Sequence, residues 1–173
     1  MFNFFNFKIC KINPNHIKKI NYKLLNKCNI KNKIKTFNGK MYVFCLIRKK
    51  YYLLTKEELV RQKIIYYLIK NRGYNVQEIY VEFHSTFYNI KNRIDILVLK
   101  KKRPFIMVEC KSPEVKISSK SFDQIMKYYL RFKSQYLVLT NGIKNIIFEF
   151  KNNGIEFLKK IPKNKKRLLT KLN

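Results

Sequence analysis

Asp95, Glu109 and Lys111 are the side chains in this 173-residue chain whose types and spacing could do chemistry together. They lie in the stretch Arg93–Pro113, RIDILVLKKKRPFIMVECKSP, which reads as two apolar strands joined by a basic turn. In a strand, every second side chain shares a face. With Leu99 opposite Phe105, Asp95 falls opposite Glu109, and one face carries Asp95, Leu97, Leu99, Phe105, Met107, Glu109 and Lys111. The other carries Ile94, Ile96, Val98, Ile106, Val108 and Cys110, so the hairpin reads as central and covered on both sides. Two carboxylates across a ladder repel, and something must offset that repulsion. A divalent cation does so directly, and oxygen ligands suit Mg²⁺, with Mn²⁺ as the alternative ion. Lys111, one pleat beyond Glu109, could orient or deprotonate an attacking water, or stabilise charge developing on a phosphate. The chemistry expected of such a set is metal-dependent phosphodiester hydrolysis, with Asp95 and Glu109 as metal ligands. The competing reading is an ion pair closing the end of a hairpin.

The tripeptide E-x-K has no weight alone in so lysine-rich a chain. It occurs as Glu109-Cys-Lys111, Glu114-Val-Lys116 and Glu149-Phe-Lys151. Only the first follows an apolar strand, has an aspartate on the neighbouring strand and precedes a helix. Aspartate is scarce, present at positions 95 and 123 alone. Three further residues are supporting candidates. Glu57 falls with Arg61 inside an apolar helical stripe of Val60, Ile64, Tyr67 and Leu68, where a carboxylate is unusual unless paired. It either forms a local i,i+4 pair with Arg61 or points at the metal site. Gln124 and Tyr128, four apart, share a helix face that could address a bound phosphate; the plainer alternative is a cap and a tyrosine at the edge of the core.

The elements that must position these residues follow from local signals. Asn38-Gly39 between Ile34–Phe37 and Met41–Ile47 predicts a hairpin. Thr55-x-x-Glu58 is a capping-box pattern opening a helix to about Asn71, with Gly73 just beyond its end. A strand over Val76–Phe83 follows, then the central pair Asn92–Leu99 and Phe105–Cys110. Ser121-x-x-Gln124 is a second capping-box pattern, on a helix from Ser119 to Phe132. Tyr136–Thr140 is a buried-type strand, and Asn145–Lys151 with Ile155–Leu158 makes a final hairpin. The order helix, strand, strand, strand, helix, strand predicts an α/β fold: a mixed sheet flanked by helices, with a hairpin at each end. Residues 35–162 read as one domain, residues 1–34 as a poorly ordered basic arm with a short helix near His16–Asn26, and residues 163–173 as a basic tail.

The net charge is +29, from 39 Lys and Arg against 10 Asp and Glu. Such a balance favours a polyanion, nucleic acid before an acidic membrane surface. Alanine is absent, lysine far exceeds arginine, and Asn, Ile, Phe and Tyr are abundant, so the basic excess has two readings, a polyanion-binding charge or compositional bias. Cys10, Cys28, Cys45 and Cys110 form no C-x-x-C pair, which fits a reducing, cytoplasmic setting. No run approaches the 18 or so apolar residues of a membrane span, and the start lacks a signal-peptide pattern.

Arg93-Ile-Asp95, Val108-Glu-Cys-Lys-Ser-Pro113, Asp123-Gln124 through Tyr128, and Tyr136-Leu-Val-Leu-Thr-Asn-Gly142 together resemble the N-terminal domain of type I restriction enzyme R (HsdR) subunits, in a small stand-alone form. Tyr52–Gln62 fits as well, and the resemblance runs from about Phe37 to Pro162. It implies the PD-(D/E)xK nuclease fold, Mg²⁺ dependence and DNA as substrate. It implies Asp95 and Glu109 as metal ligands, Lys111 as the catalytic lysine, Gln124 and Tyr128 as a Q-x-x-x-Y motif, and Glu57 as the first-helix glutamate. Ile94 stands before Asp95 where the family often has proline. The chain carries no helicase, methylation or specificity component, so the resemblance is to one domain of such an enzyme. The alternatives are a DNA-binding module without catalysis on the same fold, and a relic or protein-interaction fragment. A homodimer or other protein partners are left open.

Overall fold

The computed structural model describes residues 30–85, 92–152 and 154–164. His16, the helix expected near it, Cys10 and Cys28 lie outside them. The described part of the expected arm is folded: Ile30 is buried, Lys31–Lys33 form a short 3-10 helix, and Ile34 opens a strand.

Strands β1 (Ile34–Phe37), β2 (Lys40–Cys45) and β3 (Lys50–Leu53) form a three-stranded antiparallel sheet. Asn38 and Gly39 both take positive φ (47° and 70°), the backbone a tight primed hairpin turn requires. Alternation turns Val43 and Cys45 inward to the core.

Helix α1 spans Lys56–Arg72. Its start is half the expected capping box. Thr55 Oγ1 accepts from the Glu58 amide at 3.0 Å, but the Thr55 amide donates to the Leu53 carbonyl, and the Glu58 carboxylate turns to buried cations instead. Gly73 closes the helix in the left-handed region (φ 76°), and the Tyr74 amide reaches back to the Leu68 carbonyl at 3.0 Å. Val60, Ile64, Ile65, Tyr67 and Leu68 form the buried stripe. Each aliphatic side chain so buried stabilises the fold by about 1.5–3 kcal/mol.

The main sheet has six strands in sequence order: β4 (Ile79–Ser85), β5 (Asn92–Lys100), β6 (Arg103–Cys110), β7 (Tyr136–Thr140), β8 (Asn145–Lys151) and β9 (Gly154–Phe157). Only β6 and β7 run parallel, joined through α2 (Ser119–Phe132); every other neighbouring pair is antiparallel. This is the expected mixed α/β architecture. The strand expected from Val76 starts three residues later, because Val76–Glu78 form a 3-10 turn. Asn75 and Glu78 cap that turn reciprocally. Ser121-x-x-Gln124 is not a cap: the N-cap is Ser118, without a side-chain bond, and Gln124 is engaged elsewhere.

Two apolar layers sandwich the sheet. On one side α1 meets Ile96, Val98, Ile106, Val108, Cys110 and Val138. On the other, Ile125 and Tyr128 of α2 meet Ile94, Leu97, Met107, Leu137, Leu139 and Phe148. The β5–β6 register is Ile96↔Val108, Leu97↔Met107, Val98↔Ile106, then Leu99↔Pro104. Phe105 is therefore an extra, bulged residue and does not pair with Leu99. The bulge rotates Phe105 out of the Leu97–Met107 face and into the first core, edge-on to Tyr136 at 5.1 Å. Lys163 and Asn164, expected in a frayed tail, are held in place: the Asn164 amide donates to the Arg72 carbonyl at 2.8 Å, beside Tyr74 bonded to the Pro162 carbonyl. No helix among the described residues is long and apolar enough to cross a membrane.

Candidate active site

Glu109 is the penultimate residue of β6, opposite Leu139 in the parallel register with β7. Its side chain is buried, with 4% of its surface exposed. Two donors converge on one of its oxygens: Lys111 Nζ at 2.7 Å and Gln124 Nε2 at 2.8 Å. Lys111 Nζ also donates to Gln124 Oε1 at 3.1 Å, closing a triangle between the end of β6 and the first turns of α2. The Lys111 amide donates to the Thr140 carbonyl at 2.8 Å, which continues the β6–β7 ladder past the last strand residue and fixes the lysine's origin.

Asp95 is equally buried, but its oxygens are satisfied from the other layer. Oδ1 accepts from Arg61 Nη2 at 2.9 Å, and Oδ2 accepts from the Cys110 backbone amide at 2.8 Å. Ile94 and Leu97 lie in the α2 core and Ile96 in the α1 core, so strict alternation breaks around Asp95. The break coincides with Glu82 on β4, which has φ 50° and sits between the paired Val81↔Ile96 and Phe83↔Ile94. Asp95 and Glu109 take their hydrogen bonds from different sides of the sheet, yet remain within electrostatic reach. Burial first, and then the negative charge of Asp95, push the Glu109 carboxyl up from 4.5 to about 7, against the pull of Lys111. Burial works to lower the Lys111 ammonium, but its hydrogen bond to Glu109 and the surrounding carboxylates outweigh that and raise its pKa, so it is firmly a cation.

Arg61 is the centre of a second network. Burial opposes its charge, but Asp95 and Glu58 more than restore it and raise its pKa. It bonds Glu57 at 2.9 Å, the i,i+4 pair weighed from sequence, and also Glu58 and Asp95. Glu58 in turn accepts from Arg48 and from Gln62 Nε2 at 2.7 Å, and Arg48 Nη1 reaches Glu82 at 2.6 Å while its guanidinium stacks 3.4 Å above the Tyr52 ring centroid. Glu57 is the partly exposed member, and its charge acts on both Glu109 and Lys111. The i,i+4 pair of Glu57 with Arg61 is therefore present, beside an electrostatic influence on Glu109 and Lys111. Tyr128 is placed differently: its hydroxyl donates to the Arg93 carbonyl at 3.2 Å, steadying β5 two residues before Asp95.

Sequence reasoning missed Glu58 and Arg48, and it put no long-range partner on Arg61. The available signal was Arg61 itself, a cation inside an apolar stripe. The other E-x-K tripeptides are accounted for without chemistry: Glu114 is exposed and pairs with Lys56, and Glu149 accepts from the Tyr136 hydroxyl at 2.8 Å. Among the described residues no group of three or more His, Cys, Asp or Glu is placed to hold a metal ion. Asp95 and Glu109 are both buried oxygen donors, the ligand type that a hard divalent cation takes. Burial is the larger cause of the raised Glu109 carboxyl, and the charge of Asp95, which a cation would offset, is the second.

Residues 56–162 match the family model described as the type I restriction enzyme R protein N terminus. No curated protein matches the chain in sequence. The matched span runs from the first residue of α1 to Pro162, and so takes in the whole six-stranded sheet, both helices and every candidate residue, but leaves out the three-stranded sheet.

Proposed function

The chain belongs to the type I restriction enzyme R protein N-terminus family, and from that premise we propose that it is a Mg²⁺-dependent deoxyribonuclease domain of PD-(D/E)xK type. The observation that supports this most is the triangle of Glu109, Lys111 and Gln124 beside Asp95, in which buried carboxylates meet a part-buried lysine and glutamine at the end of β6. Asp95 and Glu109 would hold the metal, which supplies Lewis-acid stabilisation of negative charge on the phosphate. Lys111, kept protonated by its neighbours, acts as a fixed cation for charge developing at the phosphodiester rather than as a base. Gln124 holds Lys111 and Glu109 in one orientation, so neither must reorganise when substrate arrives. Tyr128 and Glu57 act at one remove, Tyr128 on the β5 backbone and Glu57 through Arg61.

The test is cleavage of single-stranded, double-stranded and branched DNA with Mg²⁺ or Mn²⁺ by wild type, Asp95→Ala and Lys111→Ala. Wild type should cut and both variants should lose about 10²-fold or more. Wild type indistinguishable from the variants on every DNA form would defeat the catalytic reading. A second reading, DNA binding without catalysis, is favoured by one observation: Arg61 already neutralises Asp95. It predicts steeply salt-dependent binding that survives Glu109→Gln in metal-free buffer.

A further inference from the structure

The outer face of the three-stranded sheet lies outside the family match and outside both cores. Strand alternation and the registers Lys35↔Tyr42, Tyr42↔Leu53, Phe44↔Tyr51 and Phe37↔Lys40 put these seven side chains on one face. Their alternates, Val43 and Cys45, are fully buried on the other. Phe37, Tyr51 and Leu53 are 61%, 44% and 50% exposed, and Tyr42 and Phe44 are partly so. None of the seven belongs to either apolar core among the described residues. Phe44 and Tyr51 meet edge to face at 5.2 Å, and Lys35 Nζ stands 3.7 Å from the centre of the Tyr51 ring.

The charge carried by these three strands and their turns is of one sign. No Asp or Glu precedes Glu57 in the chain, whereas Lys31, Lys33, Lys35, Lys40, Lys49 and Lys50 all fall in or beside the sheet. Rings for stacking interleaved with cations for a backbone are the requirement for binding an unpaired strand, because a duplex hides the faces of its bases. A second apolar protein surface would leave those ammonium groups without counter-charge, and a second copy of this face would repel it.

We infer that the outer face of the three-stranded sheet, through Phe37, Tyr42, Phe44 and Tyr51 with Lys35 and Lys40, binds single-stranded DNA. A base stacks on Tyr51 where the Lys35 ammonium now stands, and that ammonium moves to the adjoining phosphate. The identity of the strand as DNA rests on the nuclease reading; the single-strand preference rests on the face itself. The substrate would then be DNA with an unpaired segment, held at this sheet while the site beyond α1 addresses a phosphodiester.

The test is fluorescence anisotropy of a labelled thymidine oligonucleotide and of a duplex of equal length, with the full chain, in EDTA and at fixed salt. Without metal nothing is cut, so binding is read apart from cleavage. Absent cleavage elsewhere with binding intact here would refute the nuclease reading and leave the surface standing. Tyr51→Ala and Phe37→Ala should each weaken single-strand binding by about 5-fold to 150-fold with duplex binding changed less than about 2-fold. Tyr51→Phe should restore it, and Phe157→Ala, an exposed ring on β9, should change neither. Lys35→Ala should reduce the slope of log affinity against log salt by about 0.7. Equal losses on single strand and duplex, or no loss, would overturn the inference. So would tighter binding of the matching RNA, or a wild-type dimer that Tyr51→Ala converts to monomer.

Discussion

Replacing Glu109 by glutamine should stabilise the metal-free protein in alkaline solution and not in acid. The folded state raises this carboxyl from 4.5 to about 7, chiefly by burial and then by the charge of Asp95. Between those two values the folded chain binds more protons than the unfolded one, so stability falls as pH rises. Below about 4.5 the group is neutral in both states and costs nothing. The unfavourable contribution then grows to about 1.5 kcal/mol at pH 5.5 and about 3 kcal/mol at pH 8, at roughly 1.4 kcal/mol for each tenfold displacement of the equilibrium. Because Glu109 is buried, solvent screening does not discount this figure appreciably.

Glutamine keeps the shape and an acceptor for Lys111 but carries no charge. The assay is the melting temperature of Glu109→Gln minus that of wild type, in EDTA, from pH 4.5 to 8.5. Taking the difference cancels the general pH dependence of so basic a chain. It should be near its minimum at pH 4.5, climb between 5 and 7, and level off above 7.5. The total rise should be about 6–12 °C, from about 2–4 °C per kcal/mol for a chain of this size. Adding Mg²⁺ at pH 8 should raise the wild type and leave the variant unmoved, if Glu109 is a metal ligand. A pH-independent difference, or one that shrinks as pH rises, would refute the reasoning about burial.

Arg61→Met should destabilise the fold by about 3–5 kcal/mol, because it leaves buried Asp95 without its cation and removes one of two from Glu58; thermal unfolding reads this as a fall of about 6–20 °C. Gly142→Ala should cost about 1–3 kcal/mol in denaturant unfolding, since Gly142 has φ 84° and an added Cβ would lie 2.8 Å from Val60 Cγ2. Tyr128→Phe should lose about 1 kcal/mol with its bond to the Arg93 carbonyl, and should lower cleavage less than Gln124→Ala, which loosens Lys111 and Glu109 together.

The parts of the fold that were legible in the sequence rest on local rules. Asn38-Gly39 forces a turn, Thr55 and Gly73 bound α1, and the apolar runs of β5 to β7 can only be covered strands. The triangle at Glu109 was half legible, since Lys111 follows by alternation, but spacing alone let Gln124 be either a cap or a residue facing a bound phosphate, and neither gives its bonds to Glu109 and Lys111. What could not be read depends on packing between distant segments. The Arg61–Asp95 pair spans 34 positions, and nothing local distinguishes it from the i,i+4 pair to Glu57 that coexists with it. The bulge at Phe105 is equally non-local. Lys101 and Lys102 adopt positive φ (51° and 62°), which lysine does not favour. The turn is held by the two strands it joins, and the extra residue is absorbed where Phe105 finds space against Tyr74 and Tyr136.

The position of the site follows from how the sheet changes direction. β5 and β6 pair antiparallel as far as Ile96↔Val108, while β6 continues alongside β7 in parallel through Cys110↔Thr140. Where β6 parts from β5, the Cys110 amide needs an acceptor, and Asp95 Oδ2 supplies it at 2.8 Å. The aspartate thus replaces a missing rung of the ladder, and the opening that creates the need also brings Glu109 and Lys111 to the carboxyl ends of two parallel strands. In open α/β sheets that end is where ligands bind, because the strands diverge and the crossover helix begins there. Here the crossover is α2, and its first turns present Gln124 to Glu109 and Lys111. A hydrophobic residue at position 95 would leave the Cys110 amide without its acceptor and take from Arg61 one of its carboxylate partners, so Asp95 serves the fold as well as the proposed chemistry. Asp95→Asn, which keeps an acceptor for the amide, therefore separates the two roles better than Asp95→Ala.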